Sequence, residues 1–255
     1  MADTVTDICN LALGRIGISQ ITTAELTADT EPVPKDCNLH YTQTRDALLR
    51  SHLWRFAGAR ITLASAWEAS IAYTTDQYVL NDDVWYKCAV AHTSAAATEP
   101  PHANWTTLTD AQVAGEFEWT YKFSLPSDFM RMRSIWEDNT TKKENSIYSY
   151  AVEGNYIYWN DSVLKMRYTK KETTVTNFDS LFTEVLVLSL ALKLVMPRTQ
   201  DGKLYTSIKD ELYKQVMPRV RTVDKQEQNT VGLDKHVTWN SARRVRRRDD
   251  KLGSN

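Results

Sequence analysis

Near the start of the chain, apolar residues recur every three or four positions. Val5, Ile8, Ala12 and Ile16, with Leu11 beside them, form one stripe, and Asp3 or Thr4 stands where a helix cap belongs. The pattern predicts an amphipathic helix that Gly14 weakens and Gly17 ends. A polar connector is expected over 18–30. A second helix should begin at Pro32 or Pro34, since proline is tolerated in a first turn, and run through Cys37, Tyr41, Leu48 and Leu49 to His52.

The period then changes. Over 53–64, Trp54, Phe56, Ile61 and Leu63 alternate in part around Gly58, which predicts an extended segment entering a sheet. From 67 to 110 the composition shifts to Trp, Tyr, Thr and Asp, with a loop at 98–101, and a separate small module is expected. Phe117, Trp119, Tyr121 and Phe123 alternate strictly up to Pro126. Short strands follow at 130–136, 148–152, 156–159 and 163–168, the middle pair joined through Gly154 and Asn155, and together they predict a compact antiparallel sheet.

The strongest helix signal spans 178–197. Leu181, Val185, Leu188, Leu192 and Val195 form its stripe, and Leu186, Leu190 and Leu194 widen it, so burial on more than one side is expected. Part of so wide an arc could face another subunit, or the helix could be central in a monomer. A last helix over 201–221 places Leu204, Ile208, Leu212 and Val216 at four-residue spacing with a charged opposite face. Beyond 222, Val231, Leu233, Val237, Trp239 and Val245 are isolated among polar and basic residues. Such an arm is either a solvated tail or a segment that orders by docking on a neighbour.

The fold class expected is therefore α+β. An antiparallel helical bundle with a small antiparallel β-sheet domain occupies 1–66 and 111–221, an inserted small all-β module 67–110, and an extended C-terminal arm 222–255. With 255 residues a sizeable core needs no staples. Cys9, Cys37 and Cys88 are odd in number and far apart, which suits buried, reduced thiols in a cytoplasm better than a secreted disulfide framework; Cys9 and Cys37 could meet if their helices pack. The start carries no signal-peptide pattern, and the apolar window 181–196 is shorter than the roughly 20 residues that cross a bilayer, so no membrane partner is expected. The net charge of −1 conceals a basic cluster, Arg243, Arg244, Arg246, Arg247 and Arg248. It could meet DNA phosphates or an acidic partner surface, or remain solvated, and nothing beside it suggests base reading.

Catalytic patterns are missing. Cys88, His92 and His102 are the only metal-ligand candidates, and their spacing matches no common zinc motif, so no metal or other cofactor is expected. No G-x-S-x-G elbow and no G-x-x-x-x-G-K-[ST] phosphate loop occurs. The adjacent acids Asp82 and Asp83, and Asp249 and Asp250, suit turns better than a shared substrate. The chain reads as a structural protein and not as an enzyme.

The wording of several segments adds a resemblance. Ile8-Cys9-Asn10-Leu11-Ala12-Leu13-Gly14-Arg15-Ile16-Gly17 resembles the opening of the head-to-tail adaptor proteins of short-tailed bacteriophages, the tail tubular protein A group. Tyr41, Arg45, Leu48 and Leu49, followed by Trp54-Arg55-Phe56-Ala57 and Arg60, look like that family's second helix and its exit, and Leu125-Pro126-Ser127-Asp128-Phe129 like its sheet-entry turn. The helix from Leu181-Phe182 and the one ending near Tyr213 complete a likeness covering 1–66 and 111–221. The resemblance implies a virion protein. It would be a homo-oligomeric, twelvefold ring at the portal-tail junction, bound to the portal protein and to a downstream tail or nozzle protein. Genomic DNA would pass through its channel without sequence-specific recognition. The arm, with Trp239 and the arginines, would reach the portal or the DNA.

The stretch 67–110 has its own likeness. Trp67, Tyr73, Tyr78-Val79, Asp83, Val84, Tyr86, His92, Pro100 and Trp105 resemble short chitin-binding, carbohydrate-binding modules, with Asn81-Asp82-Asp83 standing where an Asn-Gly turn is usual. That likeness implies Trp67, Tyr73, Trp85 and Trp105 as rings for stacking on a host surface glycan. The alternative function is then a glycan-binding accessory virion protein with the helices as a mount. The competing role for the same aromatics is to build the core of a module too small to have another.

Overall fold

The computed structural model describes residues 3–136 and 150–227, and over them the chain is α+β. The helices are α1 (Val5–Arg15), α2 (Thr23–Ala28), α3 (Pro32–Ser51), the single turn α4 (Asp110–Val113), α5 (Ser180–Thr199), α6 (Gly202–Asp210) and α7 (Met217–Glu227). Thr4 starts α1 by a reciprocal cap: its Oγ1 accepts the Asp7 N–H at 3.1 Å while the Asp7 carboxylate accepts the Thr4 N–H at 2.9 Å. The helix stops through Gly17 at φ +74°, with the Ile18 N–H reaching back to the Leu13 carbonyl at 3.0 Å. The segment 18–30 is not all connector, because Thr22 and Glu25 repeat the reciprocal cap at 3.2 and 2.7 Å and nucleate α2.

α5 is the spine of the helical layer. It packs against α1, α3 and α6, and Phe182, Val185, Leu186, Leu188, Leu190 and Leu194 are fully buried. Most of its wide apolar arc is thus covered within one chain. By length and hydropathy α5 would also suffice to cross a bilayer, yet half of its most apolar window is buried inside the fold, as in a core helix. The last helix is continuous from α6 through a π-helical turn (Glu211–Val216) into α7. The turn explains the spacing of its buried face, Ile208, Leu212, Val216 and Val220. A four-residue repeat drifts about 40° per step around a 3.6-residue helix, and the wider i→i+5 turn takes up part of that drift.

The strands are β1 (Gly58–Ala66), β2 (Ala72–Tyr73), β3 (Tyr78–Asn81), β4 (Val84–Cys88), β5 (His92–Thr93), β6 (Trp105–Thr107), β7 (Tyr121–Ser124), β8 (Phe129–Trp136), β9 (Ala151–Glu153), β10 (Tyr156–Trp159) and β11 (Leu164–Lys170). β1 begins later than alternation predicts, because Trp54 turns into the helical core. Its Nε1–H donates to the Leu48 carbonyl at 2.8 Å, and its ring meets Phe182 edge-on at 4.9 Å. The Arg133 guanidinium on β8 clamps this exit to the sheet, donating to the Trp54 carbonyl and, at 2.9 Å, to Thr169 on β11.

Sequence alternation predicts one compact sheet; two larger ones form. A six-stranded sheet runs β6-β4-β3-β1-β11-β8, and a three-stranded one runs β7-β10-β9. They enclose a shared core that includes Leu63, Ile135, Leu164 and Met166 from the first, and Phe123, Ile157 and Trp159 from the second. The stretch 67–110 does not stand apart from this arrangement. β3 pairs in parallel with β1, from Ala64 with Tyr78 to Ala66 with Leu80, so β3, β4 and β6 extend the larger sheet. The β3–β4 hairpin closes through Asp82 and Asp83 at φ +48° and +60°, the two left-handed positions an Asn-Gly turn would otherwise fill.

A second departure lies at 115–119. Phe117 and Trp119 alternate with Tyr121 and Phe123 in sequence, but strand β7 starts only at Tyr121. Gly115 forces the difference: its N–H donates to the Thr120 carbonyl at 2.9 Å, and a Cβ at this position would lie 2.2 Å from the Trp119 carbonyl oxygen. Phe117 consequently sits at φ +55°, fully exposed at the tip of the turn.

Candidate functional site

The two-residue period of β3 and β4 sends their aromatics in opposite directions. Tyr78, Leu80 and Trp85 face the core shared by the two sheets, while Val79, Tyr86 and Cys88 face a small second cluster with Tyr73 and Trp105. Trp85 is only 7% exposed and meets Tyr121 and Phe123 edge-on at 5.5 and 5.4 Å. Trp105, also 7% exposed, meets Tyr73 at 5.1 Å and donates its Nε1–H to the Thr98 carbonyl at 2.8 Å. Tyr73 is 5% exposed, and its hydroxyl accepts the Glu68 N–H at 2.9 Å. Trp67 packs half-buried on the same cluster.

This placement takes Tyr73, Trp85 and Trp105 out of the sugar-stacking face expected of Trp67, Tyr73, Trp85 and Trp105. Stacking needs a ring face open to solvent, and three of these rings are committed to cores. A strand pattern tells which residues share a face, but not what covers it.

The metal-ligand candidates do not converge. The Cys88 Sγ lies 4.0 Å from His92 Nδ1, but that nitrogen is 2.7 Å from the Val90 carbonyl, which can only accept, so Nδ1 carries the proton. His102 Nδ1 accepts the Asn104 N–H at 3.2 Å. Among the described residues no group of three or more potential ligands lies together. Cys9, Cys37 and Cys88 are all free and buried. The first two share the helical core, where a hydrogen bond with Cys37, and then burial, push the Cys9 thiol far up. Trp239, Arg243, Arg244, Arg246, Arg247 and Arg248 lie outside the described residues.

Two surface features remain. An apolar groove of about 320 Å³ runs between α1 and the start of α5, floored by Leu11, Val175, Phe178 and Val187 and rimmed by Asp3, Arg15 and Glu184. Leu11 is 51% exposed there, and Arg15 is held by an ion pair with Glu211 at 3.2 Å. Leu39 and Met196 are further large apolar residues exposed on the outer faces of α3 and α5.

The larger feature is a cleft of about 720 Å³ between the end of α3, the β7–β8 connection and the β9–β10 hairpin. Arg50, Ser124, Ser127, Phe129, Asn155 and Tyr156 are among its walls. Ser124 is anchored from behind, its N–H donating to the Tyr78 hydroxyl at 3.1 Å while the two hydroxyls share a hydrogen bond of 2.6 Å. Sequence patterns marked two of its walls as turns, Leu125–Phe129 and Gly154-Asn155, but nothing in the sequence brought them together with Arg50. No family model matches the chain, and no curated protein is similar to it.

Proposed function

We propose that the chain is a structural virion protein, a ring-forming head-to-tail adaptor that joins portal to tail and surrounds the DNA path. In this reading an antiparallel helical bundle is the mount, and 67–110 is an insertion that has been built into its sheet. The observation that carries the reading is the ordered set of resembling segments from Ile8 to Tyr213; they fall on α1, α3, the turn at Leu125–Phe129, α5 and the π-helical turn that follows α6. The half-exposed Leu11 beside an apolar groove supports it, because a patch of this kind on a helical layer suits contact with a second copy. No catalytic role is assigned to any residue.

Native mass measurement of the full chain, alone and with purified portal rings, tests the proposal. The expected result is a closed homo-oligomer, or one that forms on the portal, and Leu11→Glu should prevent it without lowering helix content. A chain that stays monomeric and ignores portals sinks the reading. Ring formation with a freely accommodated Leu11→Glu would leave the assembly but remove the groove from its interface.

A further inference from the structure

We infer that the cleft between α3 and the three-stranded sheet is a carbohydrate-binding site for an acidic sugar, one carrying a carboxylate such as a uronate. At about 720 Å³ the cleft is in the size range of small-molecule sites, and it lies between two structural layers, where such sites concentrate. Tyr156 brings an aromatic wall. Although it lies on a strand, 44% of it is exposed, and Lys122, which does not line the cleft, steadies the ring with its ammonium 6.0 Å from the centroid. A ring so presented suits the apolar C–H face of a pyranose.

Polar groups converge on the same space. Among the described residues, the side chains of Arg50, Ser127 and Asn155 make no hydrogen bond or ion pair within the protein, so their donors and acceptors are available to hydroxyls and a carboxylate. Among the described residues Arg50 is the one charged residue lining the cleft, which favours an anion there. The walls are held in place before any ligand arrives. The Leu125 N–H donates to the Asn155 carbonyl at 2.8 Å, and the Phe129 N–H closes the next turn on the Pro126 carbonyl at 2.9 Å. Preformed walls spare the ordering cost of binding. Among the described residues one cation lines the cleft, whereas single-stranded nucleic acid needs a basic track along several phosphates.

This inference does not depend on ring assembly, since it can be measured on whatever oligomer the full chain forms. Isothermal titration with a short oligogalacturonate, a neutral galacto-oligosaccharide and a single-stranded oligonucleotide tests it. The acidic sugar should bind most tightly. Tyr156→Ala and Arg50→Gln should each weaken it by about tenfold, Arg50→Gln should abolish the preference over the neutral sugar, and Tyr156→Phe should retain binding. Arg50 is at the surface, so its variant reports even if Tyr156→Ala fails to fold. Three results would overturn the inference: no oligogalacturonate binding at about 10 mM, binding that neither variant changes, or tighter binding of the oligonucleotide.

Discussion

Replacing Trp85 with alanine asks whether 67–110 is a detachable decoration or part of the load-carrying sheet. A tryptophan buries roughly 150–250 Å², which at about 25 cal/mol per Å² amounts to about 4–6 kcal/mol. A compact unfolded state already hides roughly 10–40% of that area, which leaves about 2–5 kcal/mol. The range agrees with the roughly 3–5 kcal/mol that core aromatic truncations cost. The loss falls on the core shared by both sheets, because Trp85 contacts Tyr121 and Phe123. In a chain of this length each kcal/mol moves the melting midpoint by about 2–4 °C, so Trp85→Ala should lower it by about 10 °C. Circular dichroism at the helix band and tryptophan fluorescence should report the same shift, since the sheet is clamped to the helical layer through Arg133. A helix-band midpoint within about 2 °C of the parent would refute the reasoning, as would a separate fluorescence transition that alone moves.

Other expectations follow from single contacts. Gly115→Ala must displace the Trp119 carbonyl, so it should destabilise by about 1–3 kcal/mol, measured by urea unfolding. The Ser134 hydroxyl is buried without a partner among the described residues, and Ser134→Ala should be neutral or stabilising by up to about 1 kcal/mol in the same assay. Burial pushes Glu172 up, but the Lys170 ammonium at 2.8 Å and hydrogen bonds from Thr174 and Asn177 outweigh it and hold the carboxyl below its usual value. A lowered folded value means stability that is present above the ordinary carboxylate range and is lost as pH falls through the folded one. Glu172→Gln should therefore flatten the acid limb of a stability profile below about pH 4. Burial, and then donation to Asp128 at 2.9 Å, push the Tyr168 phenol up, so its contribution is present below the ordinary tyrosine value and is lost only in stronger base. Tyr168→Phe should flatten the alkaline limb above about pH 10.

Local chemistry was legible wherever a local rule decided the outcome. The three-and-four repeat marked α1, and Pro32 marked the first turn of α3. The apolar run marked α5 as buried, and Gly154-Asn155 marked the β9–β10 hairpin. α2 falls where a connector is expected, although the Thr22…Glu25 cap signals it, and the four-residue spacing from Ile208 predicts an ordinary helix where a π-helical turn lies.

Only the tertiary structure decided what each face meets. The two-residue period of β3 and β4 separates two aromatic faces, and the parallel pairing with β1, closed across an intervening excursion, directs one of them into the shared core. Three of the four rings that the resemblance implied for sugar, Tyr73, Trp85 and Trp105, are thus core. Tyr156, unremarkable in sequence, was left open beside Arg50 from a distant helix. Periodicity is a property of neighbours along the chain. Burial and convergence depend on contacts between distant residues, which no local pattern encodes.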